Sequence, residues 1–228
     1  MRKVLVVLAI LIVGGLIAAD RIGVTVAQNE IGKQVAAQYS LPNQPVVNIH
    51  GFPFLTQAVN GTYNQIDVNI GDWTQQGITV SQLKIELTGV NAPLGDVARG
   101  DSSNITAKTA TASAVIPYSV IQQRAPQGIT KISGNGSDLQ IEGKVSGFGL
   151  TAPITALVSV KATSRGIVIT PQSANGVPLS LIQAPLSFVV PVQNLPVGSR
   201  ISDIKVTPDG LLVAATTNDV KFSQLPKA

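Results

Sequence analysis

The chemistry open to this chain is limited first by its reactive side chains. His50 is the only histidine and there is no cysteine, so thiol catalysis is excluded and a Ser-His-Asp relay would have to use His50. No Gly-x-Ser-x-Gly motif is present to hold a nucleophile. We therefore predict a structural role for His50 and assign no catalytic residue.

The acidic residues are dispersed in the same way. Asp138 and Glu142 lie four positions apart in a predicted strand, which separates them by about 13 Å along one face. That is farther than the carboxylate pairs of glycoside hydrolases. A transition-metal site with one His and no Cys would need clustered carboxylates, which this sequence lacks. The sequence therefore predicts neither a metal site nor a cofactor, and it predicts a protein without enzymatic activity. An exported hydrolase is kept as an alternative, ranked third among the functions considered.

Charge is scarce throughout the chain. Charged residues make up 12% of it, where a typical soluble domain has roughly 25%. The formal net charge is +4, and Arg2 and Lys3 contribute two of those charges. Lys and Arg are otherwise spread singly, without the dense basic face that nucleic acid requires. No nucleic-acid partner is predicted, whereas an anionic membrane surface remains open as a partner.

The elements that would position a binding site begin with an export segment. Met1-Arg2-Lys3 precedes an uncharged apolar run, Val4 to Ala19, which Asp20-Arg21 closes. As a helix this run spans about 24 Å, short of the roughly 30 Å hydrocarbon core. Residues 1–19 are therefore predicted to be a signal peptide cleaved after Ala19 or, alternatively, an N-terminal anchor. Residues 20–228 are expected outside the cytoplasm, in the cell envelope, as one domain.

Periodicity predicts one helix followed by an antiparallel sheet. Apolar residues at steps of three and four from Ile22 to Tyr39 predict an amphipathic helix, which Pro42 would end. Beyond it apolar and polar residues alternate, as in half-buried strands. Strands are predicted at 66–70, 83–87, 105–116, 139–145, 154–160, 167–170, 201–206 and 211–216. Turns are predicted at Ser164-Arg165-Gly166 and Pro208-Asp209-Gly210, and short helices at Tyr118 to Arg124 and Leu179 to Val190.

Two stretches have unusual side chains for this pattern. Residues 50–57, HGFPFLTQ, hold two of the five Phe. Pro53 favours an extended backbone at Phe52, so Phe52 and Phe54 are expected to project to one side, which is either closed core or an open apolar surface. The small residues from Ala107 to Ala114 either leave a cavity unfilled or fill a tight interior.

Longer stretches resemble a known family. These are GFPFLTQAVNGTYNQIDVNI, LKIELTGVNAPLGDV and LSFVVPVQNLPVGSRISDIKVTPDGLLVAATTNDVKF. With the export segment they are similar to the LmeA-like family of actinobacterial envelope proteins, from about Asp20 to Phe222. The resemblance implies a non-enzymatic phospholipid binder that supports the growth or maturation of mannose-containing lipoglycans. It also implies an α+β fold akin to tubular lipid-binding proteins, with a strongly curved antiparallel β-sheet wrapped around a long N-terminal helix.

The candidate lipid-binding residues are apolar side chains of the GFPFL stretch, the end of the long strand and the second short helix. They are Phe52, Phe54, Leu55, Ile116, Leu179, Ile182 and Leu186. The predicted partners are phospholipid and a membrane surface, and the oligomeric state is left open. The alternative function, from a different class, is a structural or adhesive envelope module that binds protein or glycan.

Overall fold

A computed structural model describes residues 2–75, 78–99, 101–147, 150–163, 166–175, 186–190 and 200–224 of the 228-residue chain. The chain divides into two compact units. Unit 1 comprises Met1–Ile70, Lys84–Thr111 and Thr217–Ala228, and unit 2 comprises Gly71–Leu83 and Ala112–Thr216.

One helix joins the predicted export segment to the predicted amphipathic helix. This helix, α1, runs without interruption over Arg2–Gln38, so the two predicted segments form one element. Ser40 then adopts a left-handed conformation with φ 50°, and the Leu41 N–H donates to the Ala36 carbonyl at 2.9 Å. This pattern closes a helix by satisfying a carbonyl of its last turn. The predicted helix end before Pro42 is confirmed.

Among the described residues, eleven strands, three short helices and a terminal 3-10 turn follow α1. Residues of unit 1 form β1 (Val46–His50), α2 (Phe54–Asn60), α3 (Leu94–Arg99) and the 3-10 turn Phe222–Gln224. Residues of both units form β2 (Thr62–Gln75), β3 (Ile78–Asn91), β4 (Thr106–Pro117) and β11 (Gly210–Lys221). Residues of unit 2 form α4 (Tyr118–Gln122), β5 (Ile129–Asn135), β6 (Asp138–Gly147), β7 (Leu150–Thr163), β8 (Gly166–Ala174), β9 (Phe188–Val190) and β10 (Arg200–Thr207).

The strands form two sheets. Their orders are β1-β2-β3-β4-β11-β10 and β5-β6-β7-β8-β9. Antiparallel pairing confirms both hairpin predictions, because Thr163 pairs with Gly166 and Thr207 pairs with Gly210. The predicted short helix at 118–124 is confirmed as α4.

The second predicted short helix is wrong at its C-terminal end. Phe188–Val190 is strand β9, in which Phe188 pairs with Ile169 of β8. The sequence signal was an apolar run with steps of three and four, and so short a run does not separate a helix from a buried strand. Leu179 and Ile182 lie outside the described residues.

Several strands depart from regular geometry. Gly71 in β2 has φ 83° and Gln82 in β3 has φ 55°, and the β7–β8 register shifts between Leu157 and Val158. Such irregularities bend a strand and increase its twist. The chain is therefore an α+β protein in which curled antiparallel sheets accompany a long N-terminal helix, as predicted.

Each unit has its own hydrophobic core. That of unit 1 contains Val24, Val47, Ile49, Phe54, Ala58, Tyr63, Ile66, Val68, Val90, Ala92, Ala107 and Val220. That of unit 2 contains Ile121, Ile129, Ile132, Leu139, Ile141, Ile154, Ala156, Val158, Ile167, Ile169, Leu186, Val190 and Leu211. The small residues of β4 differ in burial along the strand. Ala107 is buried, whereas Thr109 to Ala114 are only partly buried.

Candidate functional site

The two phenylalanines of the GFPFL stretch lie in different environments. Phe54 is 6% exposed and belongs to the core of unit 1, with its ring centroid 6.4 Å from that of Tyr63. Phe52 is 62% exposed. Helix α2 begins at Phe54, so the alternation of an extended chain does not continue from one ring to the other. The prediction that both rings share one side is therefore wrong.

A carboxylate on α1 holds the start of α2. Asp20 is buried and accepts a hydrogen bond from the Leu55 N–H at 2.8 Å and another from the Arg21 guanidinium at 2.5 Å. Pro53 occupies the N-cap position of α2 without a side-chain hydrogen bond. Asp20 therefore supplies the acceptor that a capping residue usually provides. A Cβ on Gly23 would lie 3.4 Å from Leu55 Cδ2, so α2 packs directly on the backbone of α1.

The Asp20 contacts predict how stability depends on pH. Burial disfavours the charged carboxylate, but the hydrogen bonds from Leu55 and Arg21 outweigh it and hold the pKa of Asp20 below its ordinary value. This contribution to stability is present above the unfolded-state pKa of about 3.9 and is lost as the pH falls through the lower folded-state value. We expect Asp20→Asn to lower the Tm at neutral pH by about 3 to 6 °C and to lessen the loss of Tm on acidification.

Thermal melts of the full chain in detergent, at neutral and acidic pH, check this expectation. Asp72→Asn is the matched control, since Asp72 is exposed. An acid-induced loss of Tm that is as large in Asp20→Asn as in the unchanged chain would contradict the role assigned to Asp20.

His50 partners a second buried carboxylate in unit 1. Its Nε2 lies 3.2 Å from Asp67 Oδ2, and Lys84 Nζ lies 3.1 Å from the same oxygen. Gln65 Nε2 donates to Asp67 Oδ1 at 2.9 Å. Burial opposes ionisation of Asp67, but these hydrogen bonds outweigh it and lower its pKa. These contacts make His50 a partner of the Asp67 carboxylate. In the described part of the chain, no group of three or more His, Cys, Asp or Glu side chains is placed to hold a metal ion.

Unit 2 contains a groove of about 510 Å³, a size typical of ligand pockets, which span about 300 to 1,000 Å³. Residues of β6, β7, β8 and β10 and of the turn before β6 line it. The apolar lining residues are Leu139, Val158, Val160, Ile204 and Val206, and the polar ones are Ser137, Asp138, Ser159, Gln172 and Lys205. Lys205 Nζ lies 2.8 Å from Asp203 Oδ2, and this carboxylate raises the pKa of Lys205. The groove thus combines an apolar lining with polar groups and one cation.

The predicted site residues do not gather in this groove. Ile116 is partly buried and packs against the core of unit 2, and Leu186 is 2% exposed within that core. Phe54 is core in unit 1, while Phe52 and Leu55 are exposed there. Sequence reasoning missed the groove because its residues come from four strands. The only available signal was the alternation that places Ile204 and Val206 on one face of β10.

Unit 1 also exposes apolar side chains from three helices and the residues before α2. We call the following set the apolar surface of unit 1: Ile22, Val26, Phe52, Leu55, Val59 and Leu94, each 40% to 80% exposed. The apolar residues from Val4 to Ile17 of α1 are exposed as well. By length and composition, the Lys3–Gln38 part of α1 could cross a membrane.

Comparison with known proteins identifies the family. Residues 18–216 match the family described as LmeA-like phospholipid-binding. Neither a curated protein nor a solved structure matches the chain, so the likeness to tubular lipid-binding proteins stays a prediction. The matched residues include all of unit 2 and most of unit 1. The chain belongs to the LmeA-like phospholipid-binding family.

Proposed function

We propose that this protein binds phospholipid in the cell envelope without catalysing a reaction, and that residues 20–228 act as one lipid-binding domain. Membership of a phospholipid-binding family over residues 18–216 carries this proposal. The apolar N-terminal run supports an envelope location, because it suits a signal peptide or an anchor.

The groove of unit 2 is the proposed place for part of an acyl chain. An acyl chain gains about 25 cal/mol for each Å² of apolar surface it removes from water. Val160, Ile204 and Val206 line the groove, are half-buried and offer such surface. The hydroxyl and amide groups of Ser159 and Gln172, and the ammonium of Lys205, can hydrogen-bond the polar end of the lipid. An apolar lining with a few polar groups suits an amphiphile.

The same groove does not favour hydrolysis. Ser137 and Ser159 are the hydroxyl-bearing lining residues, and a serine nucleophile needs a base beside it. Lys205 is a poor base because Asp203 raises its pKa and keeps it protonated. These features support the proposal that the protein is not an enzyme.

We further propose, from the family resemblance, that the bound lipid serves the elongation or maturation of mannan-containing lipoglycans such as lipomannan. A strain lacking this protein should then make shorter lipomannan, and the unchanged gene should restore its length. Gel electrophoresis of extracted lipoglycans measures the outcome. An unchanged lipomannan length in the strain that lacks the protein would refute this part of the proposal. Phospholipid binding would not be affected by that result.

Phospholipid binding is tested by native mass spectrometry of the full chain purified from cells, with lipid extracts analysed in parallel. We expect phospholipid to co-purify. Val160→Trp should fill the groove and reduce the bound lipid several-fold. Val213→Trp is the matched control, because Val213 is also a half-buried valine on the core of unit 2 but is not a lining residue of the groove.

Two results would overturn the proposal. A lipid-free mass together with binding to a saccharide array would favour the adhesive alternative. Equal lipid loss in Val160→Trp and Val213→Trp would show that the groove is not the lipid site.

A further inference from the structure

We propose that the apolar surface of unit 1 docks the protein on a lipid bilayer, with Phe52, Leu55, Val59 and Leu94 inserted at the membrane interface. The purpose of this docking, delivery or collection of lipid, rests on the proposed function. Docking itself is a separate property that can be measured without any lipid in the groove.

The exposed apolar residues belong to helices that are joined to one another. Leu55 and Val59 are four positions apart on α2, so they share one face of that helix. Phe54 and Ala58, on the neighbouring face, are buried in the core. Because the buried face fixes α2 against unit 1, Leu55 and Val59 are held outward.

Both neighbouring helices are tied to α2. Asp20 joins α1 to the start of α2 through the Leu55 N–H at 2.8 Å. At the other end of α2 the Ala92 N–H donates to the Gly61 carbonyl at 2.7 Å. A Cβ on Gly61 would lie 2.9 Å from Pro93 Cα, and Leu94 begins α3 directly afterwards. The residues before α2, α2 itself and the start of α3 therefore present their exposed apolar side chains from one connected part of unit 1.

Continuity with α1 favours a bilayer as the occupant. The run of exposed apolar residues from Val4 to Ile17 on α1 is followed by Asp20, which contacts α2, and then by the exposed Ile22 and Val26. If residues 4–19 lie in a membrane, Phe52 and Leu55 are placed at the point where the helix leaves it. The Arg21 guanidinium lies 5.0 Å from the centre of the Phe52 ring. An aromatic ring beside a cation with an aliphatic stem suits the boundary between lipid and water.

The charges around this surface predict what kind of membrane binding it gives. Arg21 pairs with Asp20, Arg99 of α3 with Asp96, and Lys33 with Glu30. Each of these cations is balanced by a carboxylate, so little net positive charge remains to attract anionic lipid. Insertion should therefore depend on apolar contact and only weakly on anionic headgroups or salt.

The absence of cysteine allows a clean probe of this surface. Val59→Cys in the full chain, labelled with an environment-sensitive fluorophore, is reconstituted into phosphatidylcholine vesicles with or without phosphatidylglycerol. We expect a blue-shifted emission and quenching by lipids that carry a doxyl group near the headgroup, to a similar extent in both vesicle types. Lys131→Cys on β5, whose side chain is exposed, is the control and should stay unquenched.

A second variant tests the neighbouring side chains. Phe52→Glu with Leu94→Glu, introduced into labelled Val59→Cys, should remove most of the blue shift while the Tm stays unchanged, because both replaced side chains are exposed. Quenching that survives this change, or that is equal at Val59→Cys and Lys131→Cys, overturns the proposal. So does a blue shift that appears only with an added protein partner. A lipid-free mass of the unchanged chain, with quenching at Val59→Cys retained, would refute the proposed function alone.

Discussion

Replacing Phe54 with Ala is expected to lower the free energy of unfolding by about 3 to 5 kcal/mol, the usual cost of truncating a buried Phe. Phe54 is 6% exposed and packs against Tyr63 and over Gly23. The cavity left behind would lie between α2 and α1, beside Gly23. Chemical denaturation of the full chain in detergent measures the loss.

Phe52→Ala is the matched control for this substitution. The Phe52 ring is 62% exposed and its described contact is with Arg21, so its loss should cost less than about 1 kcal/mol. Similar losses of unfolding free energy from both substitutions would show that the two rings form one core. The assignment of Phe52 to the surface would then be wrong. A small loss from Phe54→Ala would instead mean that its surroundings tolerate empty volume, as a lipid cavity does.

Gly210→Ala is expected to destabilise unit 2 by about 3 kcal/mol or more, because the added carbon has no room. A Cβ on Gly210 would lie 2.1 Å from the Ile116 carbonyl oxygen, which belongs to the backbone of β4. The strand would have to move away from Ile116. Since the hairpin β10–β11 carries the groove residues Ile204 and Val206, bound phospholipid should fall together with stability.

Gly136→Ala separates steric overlap from backbone conformation in this test. Gly136 has φ 64°, and a Cβ there would meet nothing within 4 Å. Its substitution should therefore cost only the left-handed penalty, about 1 to 2 kcal/mol. Denaturation curves of the two variants, with lipid extracts from each, make the comparison. Equal destabilisation would mean that the approach of Ile116 to Gly210 does not constrain the hairpin.

The elements of this fold were largely predictable from local pattern. Alternation of apolar and polar residues, as in Gln65 to Ile70, follows from the two faces of a strand, so it identifies strands without any knowledge of their partners. Turn residues such as Pro208-Asp209-Gly210 have backbone preferences of their own. The family was also evident from the sequence, because its resemblance rests on long stretches of residues. The short helix α2 was not predicted, because its cap is a distant residue, Asp20.

Side-chain burial was decided only by tertiary structure. Phe52 and Phe54 are the same residue type two positions apart, yet the start of α2 and its hydrogen bond to Asp20 send one ring to the surface and the other into the core. The groove of unit 2 likewise combines β6, β7, β8 and β10, whose residues come from distant parts of the chain. The sequence by itself therefore determined eight of the eleven described strands, the turns and the family, which depend on local preference and on extended similarity, whereas β1, β5 and β9 were not predicted as strands. The placement of the candidate lipid contacts depends on pairing between distant segments, for which no local preference exists.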